Sequence, residues 1–123
     1  MKTALLLTAV LLATPALAQS MNAEAFHKRA TALQAKGPLA LFSRGEIKAL
    51  MSEVSASAQK AREQRLATVK AGGKPRYCPV EKTSLDSSEF IRRLSAIPAA
   101  ERARMDMTEA TTRVLAAKFP CRA

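Results

Sequence analysis

The chain contains no tryptophan, one tyrosine, four phenylalanines and a single histidine in 123 residues. So few rings leave little on which nucleic-acid bases could stack, and nucleic acid is accordingly not expected as a partner. The lone His27, flanked by Lys28 and Arg29, has no cysteine, aspartate or second histidine nearby, so no zinc site is expected around it. Only two cysteines occur, and no Cys-x-x-Cys pair, so thioredoxin-like exchange is not supported. β-Alternation is missing, because the valines and isoleucines are scattered at helical spacing. Acid is in short supply as well: 10 Asp and Glu stand against 20 Lys and Arg, a formal charge of +10. Such a balance favours anionic partners.

What is present begins with an export signal. Lys2 supplies a positive n-region, Ala4 to Ala13 an apolar stretch, and Thr14-Pro15 a break before Ala16-Leu17-Ala18. The apolar stretch falls short of the ~20 residues that cross a bilayer. The reading is a cleaved signal peptide over residues 1–18 and a helical domain over 19–123, periplasmic or secreted, with no cysteine placed for a lipid anchor. An oxidising destination and an even cysteine count together predict one structural disulfide, Cys78 to Cys121. In the chain-entropy picture a bridge closing that loop contributes on the order of 4 kcal/mol. That matters to a small core rich in Ala and Leu.

The patterning predicts an all-α fold, a small bundle of about four helices. Helix one spans Asn22 to Lys36, with Asn22 as N-cap, Gly37-Pro38 as terminator and Phe26, Ala30 and Leu33 as its buried stripe. Glu24 and Lys28 are expected to pair across one turn on its wet side. Leu39 to Phe42 reads as an apolar connector tucked into the core. Ser43 and Glu46 have capping-box spacing and open the longest helix. Its stripe runs through Ile47, Leu50, Met51, Val54, Ala58 and Ala61 to Leu66 and Val69. It reaches Lys70, where Gly72-Gly73-Lys74-Pro75 ends it.

After a loop carrying Cys78-Pro79, Asp86 and Glu89 again have N-cap and N3 spacing, with Leu85 and Phe90 placed to staple the entry. Phe90, Ile91, Leu94 and Ile97 form the inner face, and Pro98 marks the exit. A short turn over Ala99 to Met105 precedes a last helix from Asp106 to Lys118, with Met107, Ala110, Val114, Leu115 and Ala117 inward. The two cysteines bracket these last helices, and an antiparallel αα-hairpin brings such ends together.

Catalytic constellations are not expected. Asp86/Glu89 and Asp106/Glu109 sit where caps belong, Gly72-Gly73-Lys74 lacks the strand and spacing of a phosphate loop, and the cysteines are used on each other. The reading is a non-enzymatic protein without cofactor or metal. One stretch is a candidate docking surface for an acidic partner: Lys60, Arg62, Arg65, Lys70, Lys74 and Arg76 against the single acid Glu63.

The C-terminal layout is distinctive. Tyr77-Cys78-Pro79 is followed by Leu85-Asp86-Ser87-Ser88-Glu89-Phe90, then Ile97-Pro98, and finally Val114-Leu115-Ala116-Ala117-Lys118-Phe119-Pro120-Cys121. Over residues 77–121 the chain resembles the Rap/Tai family of exported immunity proteins. The resemblance implies a helical, disulfide-containing protein that binds and blocks a peptidoglycan amidase delivered by type VI secretion. The partner it implies is such a cell-wall amidase, bound stoichiometrically. The alternative is an envelope-stress or polyanion-binding periplasmic protein acting through the basic stretch, or a protein of another role that keeps only the scaffold. A membrane surface ranks behind an acidic protein as its partner.

Overall fold

A computed structural model describes residues 20–122, so the signal peptide read over residues 1–18 and the cleavage after Ala18 lie outside the described residues. The order is α1 (Ala23–Ala35), a 3-10 helix (Gly37–Phe42), α2 (Arg44–Lys70), α3 (Ser87–Ala96), α4 (Ala99–Arg102) and α5 (Met107–Lys118). The all-α expectation holds, but six helices stand among the described residues where about four were expected. The two additions are the 3-10 helix and the single turn of α4. No described helix is long and apolar enough to cross a membrane.

The helix starts follow capping chemistry at three of four places. Asn22 Oδ1 accepts from the amides of Glu24 and Ala25 at 3.0 and 3.1 Å. Asp86 accepts from Glu89 N–H at 2.8 Å, and Asp106 from Glu109 N–H at 2.9 Å. The fourth expectation fails. Ser43 makes no side-chain cap, because its hydroxyl faces Lys36 Nζ at 3.1 Å and Glu46 is drawn away to Arg29. At the far end of α2, Gly72 takes φ +80°, while Gly73 N–H reaches Thr68 O and Gly72 N–H reaches Val69 O. Those two bonds form a Schellman stop, which a residue with a Cβ would enter only with strain.

Helix α5 is the central element, with Met107, Thr108, Ala110, Thr111, Thr112 and Val114 all buried. Its most extensive partner is α2, and α1 and α3 close the remaining sides. Phe26 and Phe90 meet edge to face with centroids 6.3 Å apart, tying α1 to α3. Leu50, Leu94, Met105, Met107, Ala110 and Val114 join them in one core cluster, against which Leu85 and Ile97 pack. Three buried threonines on α5 stand where the apolar pattern had placed nothing, while Ala117 is exposed. Leu66 and Val69 are exposed too, because α2 runs on past the core that ends near Ala61.

Two contacts tie the beginning of the described chain to the α4–α5 connection. Ala23 N–H donates to Met105 O at 3.0 Å, and Met107 N–H donates to Met21 O at 2.7 Å. Between them Asn22 also sends its side-chain amide to Ala103 O at 3.0 Å. One asparagine thus caps α1 and holds the α4–α5 connection.

The bracket over the last helices is present. Cys78 and Cys121 are bonded, with Cα atoms 5.0 Å apart. Cys78 N–H donates to Phe119 O at 2.8 Å, and the flanking Tyr77 and Phe119 are buried. Lys118 at the end of α5 reaches Glu89 at the start of α3 at 2.7 Å, as an antiparallel pair requires. The connector Leu39–Phe42 departs from expectation. It lies on the outside, with Leu39, Leu41 and Phe42 65, 70 and 87% exposed. A 3-10 turn spanning the ends of α1 and α2 projects from the bundle, so its side chains have no core to enter.

Candidate functional site

The feature best shaped to receive another molecule is an apolar groove of about 690 Å³ between α1, α2 and the start of α3. Phe26 and Ala30 form one wall, Ile47, Leu50 and Val54 the other, and Phe90 and Thr111 lie at its floor. The groove exists because α1 touches α2 only sparingly: α1 leans mainly on α3, and α2 on α5. Two helices that lean on different partners part from each other and leave a furrow between them. That volume lies within the range typical of ligand and anchor pockets. Thr111 Oγ1 is buried in this floor with no hydrogen-bond partner among the described residues. A buried hydroxyl left unpaired costs free energy until a partner supplies the bond.

Charge of both signs stands around the groove, with Asp86 on its lining and cations on the neighbouring hollow. Arg44 and Lys48, one turn apart on α2, border a second hollow that shares Ile47, Met51 and Ser55 with the groove. The carboxylates of α2 point elsewhere. Glu46 is held by the Arg29 guanidinium through two bonds of 2.6 and 2.7 Å, which lowers its pKa below the usual carboxylate value. Glu53 accepts from Met21 N–H at 2.6 Å. Two cations therefore border the hollow beside the furrow, while the one carboxylate on the furrow's own lining is Asp86, which caps α3.

The basic stretch read from the sequence is not gathered into one patch. Arg76 forms a two-bond pair with Glu109 at 2.6 and 2.8 Å, locking the loop before Cys78 onto α5. Arg65 places its guanidinium over the Tyr77 ring, 5.4 Å from the centroid, a cation–π contact that braces the same loop. Lys60 is half-buried, whereas Arg62, Lys70 and Lys74 are exposed. Arg65 and Arg76 thus hold the fold around the disulfide, while Arg62, Lys70 and Lys74 remain on the surface.

Other side chains that reading passed over are occupied structurally. Arg102 is buried and pairs with Glu24 at 2.7 Å, replacing the expected Glu24–Lys28 pair. Its Nη1 also serves the carbonyls of Leu94, Ser95 and Ile97 at the C-terminal end of α3. The contact lowers the Glu24 pKa, first through the hydrogen bond itself. His27 is half-buried, and its Nε2 lies 2.8 Å from Ser95 Oγ. Burial above all, then the Arg102 charge, lowers its pKa. Among the described residues no group of three His, Cys, Asp or Glu side chains is placed to hold a metal.

No family model matches this chain significantly, nor does any curated protein or solved structure.

Proposed function

We propose that this protein is a non-enzymatic binding protein of an oxidising envelope compartment, and that it blocks a peptidoglycan amidase in the manner of the Rap/Tai immunity proteins it resembles. The observation that carries the reading is the apolar groove, with Arg44 and Lys48 bordering the hollow that adjoins it. A concave apolar surface gains most by receiving one or two large side chains that exclude water, and cations beside it select a partner with acidic surroundings. The unpaired Thr111 hydroxyl supports the same reading, since an incoming polar group would satisfy it. The Cys78–Cys121 bridge supports the compartment, because such bonds persist where thiols are oxidised.

The test is inhibition. Purified protein is titrated against peptidoglycan amidases from the native envelope, and digestion of cell wall is followed. Stoichiometric loss of activity is expected. Met51→Glu, which places a carboxylate beside the exposed mouth of the groove, should weaken inhibition at least about ten-fold, the equivalent of ~1.4 kcal/mol. Lys70→Glu, far along α2, should change it little. Unimpeded digestion by every amidase tried, or equal inhibition by Met51→Glu, would overturn the proposal.

A further inference from the structure

The geometry points to a second surface, which shares Arg44 and Lys48 with the hollow beside the groove: the 3-10 tip Gly37–Phe42 is a docking finger for an anionic lipid surface. Leu39, Leu41 and Phe42 are the most concentrated exposed apolar side chains in the described chain, three within four residues. They project outward from the junction of α1 and α2. A convex tip of this kind offers no pocket to a protein knob, and it suits a deformable apolar phase. Large exposed apolar groups clustered in one place mark interaction sites.

The backbone of the tip is already prepared for such a phase. Leu39 N–H donates to Lys36 O at 3.2 Å, Ser43 N–H donates to Ala40 O at 2.8 Å, and Pro38 has no N–H to satisfy. Gly37 supplies the positive φ of +54° that turns the chain out of α1. A segment whose amides are bonded within the turn loses little when water is withdrawn.

Charge selects the kind of lipid. Lys36, Arg44 and Lys48 are exposed on both sides of the tip, and the nearest carboxylate, Glu46, is neutralised by Arg29. An apolar tip collared by cations is the pattern of peripheral binding to anionic headgroups, where apolar burial and electrostatic attraction add. The overall charge of +10 draws the molecule to such a surface and opposes the pairing of two copies through the same tip.

The absence of tryptophan makes the test clean, because Phe42→Trp would be the sole indole in the chain. Protein secreted into and purified from a bacterial periplasm is mixed with vesicles of phosphatidylglycerol and phosphatidylcholine in equal parts, or of phosphatidylcholine alone. A blue shift of indole emission and co-sedimentation are expected with the anionic vesicles only, and both should weaken with added salt. Lys36→Gln/Arg44→Gln should reduce partitioning roughly twenty-five-fold, about five-fold per cation, which converts to the ~1 kcal/mol that a Lys or Arg gains near an anionic membrane. Leu39→Ser/Leu41→Ser should abolish the shift while leaving the thermal melt unchanged, since both side chains are exposed. Unshifted emission with anionic vesicles overturns the proposal. So do equal binding to neutral vesicles, co-sedimentation that survives Leu39→Ser/Leu41→Ser, and a concentration-dependent blue shift without lipid, which would mean that a second copy covers the tip.

Discussion

Arg102 shows how much can hang on one side chain that local patterning does not single out. It is buried, pairs with Glu24 across 78 positions of sequence, and closes carbonyls at the end of α3. Its replacement by Met strips those carbonyls and leaves Glu24 without its cation. A loss of roughly 3 kcal/mol is expected, read from urea midpoints. Adding Glu24→Gln to that variant should recover part of the loss, because the unpaired carboxylate is then gone. His27 makes a weaker, pH-dependent contribution. Its pKa in the fold lies below the ordinary 6.5, so the unfolded chain binds the proton more readily. The stability that neutral His27 provides is complete above 6.5 and is lost as pH falls through the depressed value. His27→Asn should flatten the dependence of the urea midpoint on pH in that window.

Among the elements, the caps were readable where one side chain suffices and unreadable where two helices compete for it. Asp86 and Asp106 bond the amides three residues on, as their spacing predicts, yet Glu89 and Glu109 do not turn back to complete capping boxes. Glu89 serves Lys118 and Arg93, and Glu109 serves Arg76 and Arg113. A cation within reach outbids a backbone amide for a carboxylate, since the charged bond is the stronger one. The same competition leaves Ser43 without a capping role. Asp86→Ala and Asp106→Ala should each cost about 1 kcal/mol, whereas Ser43→Ala should stay within about half of that, compared by thermal denaturation. The 3-10 tip failed as a core element for another reason. Apolar composition marks Leu39 to Phe42 as burial-prone, but two helices ending at the same height leave their connection outside the layer they form.

For the whole molecule, the disulfide closes a loop of 43 positions around the last three helices and holds Tyr77 and Phe119 in place. Cys121→Ser should lose about 2–5 kcal/mol under oxidising conditions, and the Cys78→Ser/Cys121→Ser variant no more than that, as measured by urea denaturation. Unchanged midpoints would show that the bridge does not constrain the chain. Acid should act more broadly. Glu24, Glu46, Glu89 and Glu109 all have pKa values held below the ordinary 4.5, in each case first by hydrogen bonds from cationic side chains. Each therefore contributes stability that is present above 4.5 and lost as pH falls through its depressed value. A urea series from neutrality to about pH 3 should show the midpoint falling in the lower part of the range. The steepest part should lie below 4.5.

Helical periodicity, three of the four N-caps, the glycine stop after Lys70 and the pairing of Cys78 with Cys121 were all decided by the sequence, because each depends on residues close together or on a choice with one solution. The furrow between α1 and α2, the exposure of the tip, the burial of Arg102 and the division of the basic stretch were decided only in three dimensions. Arg65 and Arg76 looked like free surface cations beside Lys70 and Lys74, yet Tyr77 and Glu109 claim them once the disulfide loop folds back on α2 and α5. The physical reason is common to all four. A side chain's burial and its charge partner depend on which helices lean together and where they part, and one-dimensional spacing carries no record of that.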